Sequence, residues 1–305
     1  MKPRRKAPPA AAGIVDRARA ALFGVAVGDA LGATTEFMTP AQIRDRYGVL
    51  REIVGGGWLK LSPGQVTDDT DMTLCVARGI VGSKRWDLGP IADRFARWLS
   101  GNPVDVGATC RRGIEEYIGK GRIEAPPDER GAGNGAVMRV APVALYTLGD
   151  EELLSRLAVE QAHITHHNPL SDAACVSVGT MIQRGLLGTP PRDVRAAAEE
   201  LCARYPDFRF ERYDGKSSGY VVDTLRTVFD AFFSTDTFED CVVKTVNRGG
   251  DADTTGSIAG AIAGARYGVS AIPQRWLQAL APNLREELSA LAEELVRMSP
   301  LFAEF

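Results

Sequence analysis

Two short segments are dense in hard oxygen donors. Thr67-Asp68-Asp69-Thr70-Asp71 puts three carboxylates within four residues, and Gly249-Gly250-Asp251-Ala252-Asp253-Thr254-Thr255 adds two more. Each precedes an apolar run, starting at Met72 and at Ile258, so both sit at helix N-termini. Capping explains one oxygen per helix, because Asp and Thr accept hydrogen bonds from free amides and the helix dipole favours a carboxylate there. Crowded carboxylates repel one another, however, and a bound cation removes that cost. No His or Cys adjoins either cluster, so the donors favour Mg, Mn or Ca over Zn. If the clusters converge, they can hold two ions about 3.5 to 4 Å apart and polarise a substrate oxygen or a water between them. The sequence alone leaves convergence open.

A third segment, Gly131-Ala132-Gly133-Asn134-Gly135-Ala136-Val137-Met138-Arg139, is a glycine-rich turn leading into an apolar stretch. Such a turn lets backbone amides approach a phosphate, with Arg139 adding charge. No strand precedes it and its spacing is not that of a dinucleotide fingerprint. A tight structural turn is the competing explanation.

The elements that must position these segments read almost entirely as helix. Apolar residues recur at helical spacing in Leu88, Ile91, Phe95, Trp98 and Leu99, and in Leu153, Leu154, Leu157, Ala158 and Ile164. Further helices are predicted over 14–31, 72–81, 106–118, 136–148, 171–187, 194–204, 220–233, 238–246, 254–267 and 284–298. The best strand candidate is 49–54. Gly256, Gly260 and Gly264 recur at every fourth position beside Arg266, which predicts close helix packing within a bundle. Breaks at 55–57, 101–103, 125–127, 131–135, 190–191 and 214–215 are too short for domain linkers. The prediction is one compact all-α domain over 13–305, preceded by a disordered basic, Pro- and Ala-rich tail over 1–12.

The formal charge of -3 comes from 39 acidic and 36 basic residues mixed along 305 positions, so no field attracts nucleic acid. Five cysteines lie far apart without a Cys-X-X-Cys pair; their odd number and scatter point to a reducing compartment. The N-terminus lacks a signal-peptide core, and no uncharged apolar run reaches the roughly 20 residues of a membrane span. A cytoplasmic protein without direct membrane insertion is expected.

Taken in order, Gly28-Asp29-Ala30-Leu31-Gly32 with Glu36-Phe37, Thr67 to Thr70, Pro103-Val104-Asp105-Val106-Gly107, Gly133 to Arg139, Thr165-His166 with Asn168-Pro169, Ser217 to Thr224, and Gly249 to Thr255 resemble the ADP-ribosylglycohydrolase family. The match runs from about Asp16 to the C-terminus. It implies a helical domain with a dinuclear Mn2+ or Mg2+ centre in a cleft, and removal of α-linked ADP-ribose from protein side chains. By motif position, Thr67, Asp68, Asp69, Asp251, Asp253 and Thr254 correspond to metal ligands. Glu36 takes the family's acidic position beside the metals, displaced when substrate binds, and with Asp69 and Asp105 makes the catalytic set. Asp105 falls in the Asp-X-Gly motif of arginine-specific members, where a carboxylate matches the planar guanidinium fork; an N-cap for the helix from Val106 is its alternative role. Gly133, Asn134, Gly135, Met138, Arg139 and His166 correspond to ligand contacts on the ribose and phosphate side. Tyr220 corresponds to an adenine-stacking residue, with core packing as the alternative. Trp58 and Trp98 are assigned to packing.

The resemblance is to the nitrogenase-linked branch, which implies the ADP-ribosylated iron protein of nitrogenase as target and its reactivation as outcome. It also implies reversible recruitment to the membrane through a PII-type signalling protein and an ammonium transporter. Cleavage at the anomeric carbon must stabilise positive charge on the sugar and supply a proton to the guanidine, whether or not the ribose ring opens first. Rival readings are serine-linked or acyl-ester ADP-ribose as substrate, a non-catalytic ADP-ribose binder, and a Mg-dependent phosphohydrolase.

Overall fold

Helical periodicity in the sequence becomes fifteen α-helices in the computed structural model, which describes residues 9–303. The first five are α1 (Pro9–Gly32), α2 (Pro40–Tyr47), α3 (Asp68–Ser83), α4 (Leu88–Ser100) and α5 (Ala108–Lys120). Next come α6 (Ala141–Tyr146), α7 (Glu151–His163), α8 (Pro169–Leu186), α9 (Pro191–Arg204) and α10 (Val221–Phe233). The chain ends with α11 (Phe238–Val246), α12 (Ala252–Tyr267), α13 (Gln274–Ala279), α14 (Pro282–Met298) and α15 (Pro300–Ala303). Helix α1 begins inside the stretch expected to be a tail, at Pro9; the rest of that tail, residues 1–8, lies outside the described residues.

The centre of the fold is the pair α1 and α12. A Cβ added at Gly28 would stand 2.0 Å from the Gly256 carbonyl oxygen, one at Gly24 2.0 Å from that of Gly260, and one at Gly264 2.1 Å from that of Ala20. The two backbones therefore touch along a stripe that only hydrogen side chains permit, as the four-residue glycine spacing predicts. Both helices are apolar on nearly every side because other helices wrap them: Leu22, Val25, Val27, Ile258, Ala261 and Ile262 are all buried. The contact continues to Gly32, whose added Cβ would meet the Ala252 carbonyl oxygen at 2.1 Å and the Asp253 Cα at 2.6 Å. The C-terminal end of α1 and the N-terminal end of α12 are thus pressed together where the acidic residues lie.

Two predicted elements differ. Among the described residues no β-strand forms; within 49–54, backbone groups of Leu50 and Arg51 pair with side chains rather than with a second strand. Asn247 Oδ1 accepts from Leu50 N at 2.9 Å, Asn247 Nδ2 donates to Leu50 O at 2.9 Å, and Trp276 Nε1 donates to Arg51 O at 2.8 Å. The helix predicted over 136–148 shrinks to α6, because the Asn134 carbonyl closes turns at Val137 N and Met138 N and Pro142 has no N–H to extend the ladder backward.

Candidate active site

The acidic segments meet. Thr254 Oγ1 donates to Asp69 Oδ2 at 3.1 Å, a direct bond between residues 185 apart in sequence. Glu36, Asp251 and Asp253 each bring a carboxylate oxygen within 4.8 Å of the others. Asp68 Oδ2 accepts from Gly107 N at 3.2 Å, linking the start of α3 to the loop that carries Asp105. These side chains are not spent on capping: Thr67 and Asp251 occupy the cap positions of α3 and α12 and neither makes a side-chain cap hydrogen bond. Side-chain caps do form at α2, α4, α7, α8 and α11, through Thr39, Asp87, Asp150, Asn168 and Thr237.

Glu36, Asp68, Asp251, Asp253 and Thr254 line a cleft of about 500 Å³ together with Gly133, Asn134, Gly135, Met138 and His166. Asn134 ties the two groups together, its Nδ2 lying 2.6 Å from Asp251 Oδ2 and 3.0 Å from Thr224 Oγ1. Five carboxylates, those of Glu36, Asp68, Asp105, Asp251 and Asp253, line the cleft, and among the described residues no Lys or Arg does. When ionised, such a lining repels an anion unless cations neutralise it.

Without a cation the cluster is electrostatically strained. Burial first, and repulsion from neighbouring carboxylates after it, holds Asp69 and Asp253 well above the usual carboxylate range. Burial pushes Asp68 up to about 7, with the Asp105 charge adding to it. Glu36 rises to about 8, chiefly through burial, against the opposing hydrogen bond from Trp58. Asp69 Oδ1 is buried without a hydrogen-bond partner among the described residues, an arrangement expected of an oxygen that holds a cation. The donor set fits hard divalent metal: carboxylates and hydroxyls, no thiolate and no imidazole.

Because these carboxylates have raised values, the metal-free fold favours their protonated forms. That stabilising contribution is complete below an ordinary carboxylate pKa of about 4 and is lost as pH climbs through about 7 for Asp68 and about 8 for Glu36. Divalent metal requires the ionised forms, so its uptake expels protons. The melting-temperature gap between Mn2+-loaded and chelator-stripped protein should widen from pH ~6 to pH ~8. Differential scanning calorimetry at the two pH values checks this; a gap that narrows or stays constant refutes it.

The comparisons with known proteins settle the family. The ADP-ribosylglycohydrolase sequence profile matches residues 10–301. The chain belongs to the ADP-ribosylglycohydrolase family. It is 49% identical over 286 residues to the ADP-ribosyl-[dinitrogen reductase] glycohydrolase of Rhodospirillum rubrum, covering 94% of this chain and 97% of that protein. It is 34% identical to the ADP-ribosylarginine hydrolase Tri1 of Serratia proteamaculans, over 94% of this chain and 80% of the other. A solved structure described as an ADP-ribosylglycohydrolase-related protein complex superposes with a TM-score of 0.85 at 38% identity, covering 94% of this chain and 99% of its own.

Within this ADP-ribosylglycohydrolase fold, most residues singled out by sequence border the cleft. Thr67 and Asp69 lie just beneath its floor, both buried; Thr67 Oγ1 donates to Asp29 Oδ1 at 3.0 Å. Asp105 does not cap a helix: α5 starts at Ala108 behind Gly107, and Asp105 Oδ1 accepts only from the adjacent Val106 N, at 2.8 Å. Tyr220 is exposed, not core, and directly follows the cleft residue Gly219. Arg139 is a correction. Its side chain is fully buried and does not line the cleft, because the turn after Gly135 aims it into the interior, with Cζ 4.7 Å from the Phe95 ring centroid.

Two residues of the glycohydrolase site escaped the sequence reading. Asp29, a lone carboxylate in the apolar run from Ala20 to Ala33, accepts hydrogen bonds from the backbone and hydroxyl groups of both Thr67 and Thr70, at 2.5 to 3.1 Å. It fixes the Thr67–Thr70 segment, and its isolation among apolar neighbours was the available signal. Trp58, assigned to packing, instead lines the cleft mouth beside Phe37, with 5.3 Å between ring centroids, and donates its indole N–H to Glu36 Oε2 at 2.5 Å. The signal was the preceding Gly55-Gly56-Gly57, all at positive φ. Gly57 lets this loop lie against α1, since a Cβ there would come 2.1 Å from the Ala33 carbonyl oxygen. Trp98 does pack, and holds Asp71 out of the cluster through a 3.0 Å hydrogen bond.

Proposed function

We propose that this glycohydrolase removes ADP-ribose from a modified arginine, that the physiological target is the iron protein of nitrogenase, and that Mn2+ or Mg2+ is the resident metal. The observation that carries the reading is the distribution of charge in the cleft: five carboxylates, no Lys or Arg among the described residues, and one carboxylate, Asp105, free of any capping role. Thr67, Asp68, Asp69, Asp251, Asp253 and Thr254, with Glu36 beside them, would hold two divalent cations. When bound, such ions supply Lewis-acid polarisation of ribose oxygens and of a water.

The remaining work falls to side chains of this chain. Water adds at the ribose anomeric carbon, the bond from that carbon to the guanidine nitrogen breaks, and one water proton ends on the departing arginine. Asp105 matches the cationic guanidinium through paired hydrogen bonds. Burial, and after it the Asp251 charge, raises its pKa, which suits a carboxylate that carries a proton between water and leaving group. His166 and the turn from Gly133 to Met138 orient the nucleotide, and Tyr220 offers a face to the adenine. Glu36, latched by Trp58, closes the mouth side of the cluster. Likeness to the nitrogenase-linked relative also motivates recruitment to a membrane through a PII-type protein and an ammonium transporter; among the described residues no helix is long and apolar enough to cross a membrane.

The test is incubation of the Mn2+-loaded protein with an ADP-ribosyl-arginine peptide, an ADP-ribosyl-serine peptide and ADP-ribosylated nitrogenase iron protein. Intact ADP-ribose and unmodified arginine should be released from the first and third. Release of AMP or phosphate would indicate a phosphohydrolase, faster release from serine a different linkage, and binding without release a non-catalytic binder.

A further inference from the structure

Arg139 carries its charge in an unusual place. None of its surface is exposed, and its hydrogen bonds go to neutral groups: Nε to Gln161 Oε1 at 3.0 Å, and Nη2 to Gln161 O at 3.1 Å and Thr165 Oγ1 at 2.9 Å. Burying a cation without a carboxylate is costly, so the position calls for a reason beyond packing. Of its partners, Thr165 leads directly to the cleft: its Oγ1 lies 2.7 Å from Nδ1 of His166.

Donor and acceptor capacity fixes the direction of the first of these bonds. A guanidinium only donates, so Thr165 Oγ1 accepts from Arg139 and has one proton left to give. Given to Nδ1, that proton leaves the imidazole hydrogen on Nε2. The Nε2 edge faces the glycine turn across the cleft wall, where a Cβ at Gly133 would come within 2.8 Å of Nε2 and one at Gly135 within 2.9 Å of Cε1. With no side chains there, the ring lies close against the turn's backbone while His166 still lines the cleft.

We infer that Arg139 and Thr165 are positioning residues that hold His166 in its neutral Nε2–H tautomer, presenting one fixed hydrogen-bond donor to an anionic oxygen of the ligand. The identity of that ligand rests on the reading above; the tautomer does not. The groups facing the ring agree. Burial, and then the charges of Arg139 and Arg112, push the imidazole down to about 3, and burial pushes the Cys110 thiol up to about 12, so neither changes charge near neutrality. The opposite arrangement, with Nδ1–H donating to Thr165 and the hydroxyl turned to Cys110, would aim a lone pair at the nucleotide.

Long-range 1H–15N correlation spectra of metal-loaded, nucleotide-free protein decide between them, and only His163, His166 and His167 need assignment. His166 should show a protonated Nε2 and an unprotonated Nδ1, unchanged from pH ~5 to pH ~8. A protonated Nδ1, or titration near ~6.5, overturns the proposal, and this result needs no variant. Thr165→Val should mix the tautomers and weaken ADP-ribose binding about tenfold with Mn2+ affinity unchanged, and Thr165→Ser should restore both. Unaltered ADP-ribose affinity in Thr165→Val also overturns it. Failure of wild-type protein to bind ADP-ribose, with the Nε2–H tautomer present, counts instead against the nucleotide reading.

Discussion

Asp105→Ala should leave a folded, metal-binding protein that still takes up free ADP-ribose but turns over ADP-ribosyl-arginine more slowly by a factor of about 10² to 10⁴. The size follows from what Asp105 does not do. It is half-buried, caps no helix, and accepts only a neighbouring backbone amide, so its removal costs little stability. What is lost is the carboxylate opposite the guanidinium. Asp105→Asn separates packing from proton transfer: it keeps the shape and the bond from Val106 N but cannot carry a proton at neutral pH, so it should lose nearly as much turnover as the alanine variant. Steady-state kinetics with a defined peptide, alongside calorimetric titration of ADP-ribose, makes the comparison. Turnover in either variant within a few-fold of wild type would remove Asp105 from the chemistry.

Gly28→Ala should destabilise the protein by roughly 1 to 3 kcal/mol, reversing the sign expected for the same change in an open helix, where alanine gains up to about 1 kcal/mol. The new methyl group would lie 2.0 Å from the Gly256 carbonyl oxygen, and backbone cannot rotate aside as a side chain can. The helices must separate, and the strain travels along α1 and α12 to the junction where Gly32 touches Ala252 and Asp253. Mn2+ affinity should therefore fall together with stability. Gly119→Ala on α5, where an added Cβ meets nothing within 4 Å, is the control and should be neutral or slightly stabilising. Urea unfolding monitored by circular dichroism tests the pair; a Gly28→Ala midpoint at or above wild type would show that the close approach of α1 and α12 is dispensable.

Local rules carried the reading of the helices far. The periodicity around Phe95 and Leu157, the every-fourth glycines of α12 and the crowding of Asp68 and Asp69 are short-range properties of the chain, and the structure keeps each of them, while Trp98 draws Asp71 aside. The misses share one cause, because they depended on partners distant in sequence. The 49–54 segment has strand-like residues, but an amide from Asn247 arrives before any second strand does. Trp58 had only its size to mark it until the fold laid it on Glu36. Arg139 had the right neighbours for an anion site, and one turn of backbone sent its side chain inward to Phe95 and Gln161.

The sequence by itself determined that the chain is helical, which of its oxygens are too crowded to serve only as caps, and which family it resembles, since periodicity, charge repulsion and ordered motifs are all written along one dimension. Tertiary structure alone decided that Asp69 and Thr254 share a hydrogen bond, that among the described residues no Lys or Arg lines the cleft, and that an interior arginine reaches a cleft-wall histidine through Thr165. Those facts concern distances between residues far apart in the chain, and such distances exist only once α1 and α12 have closed on each other.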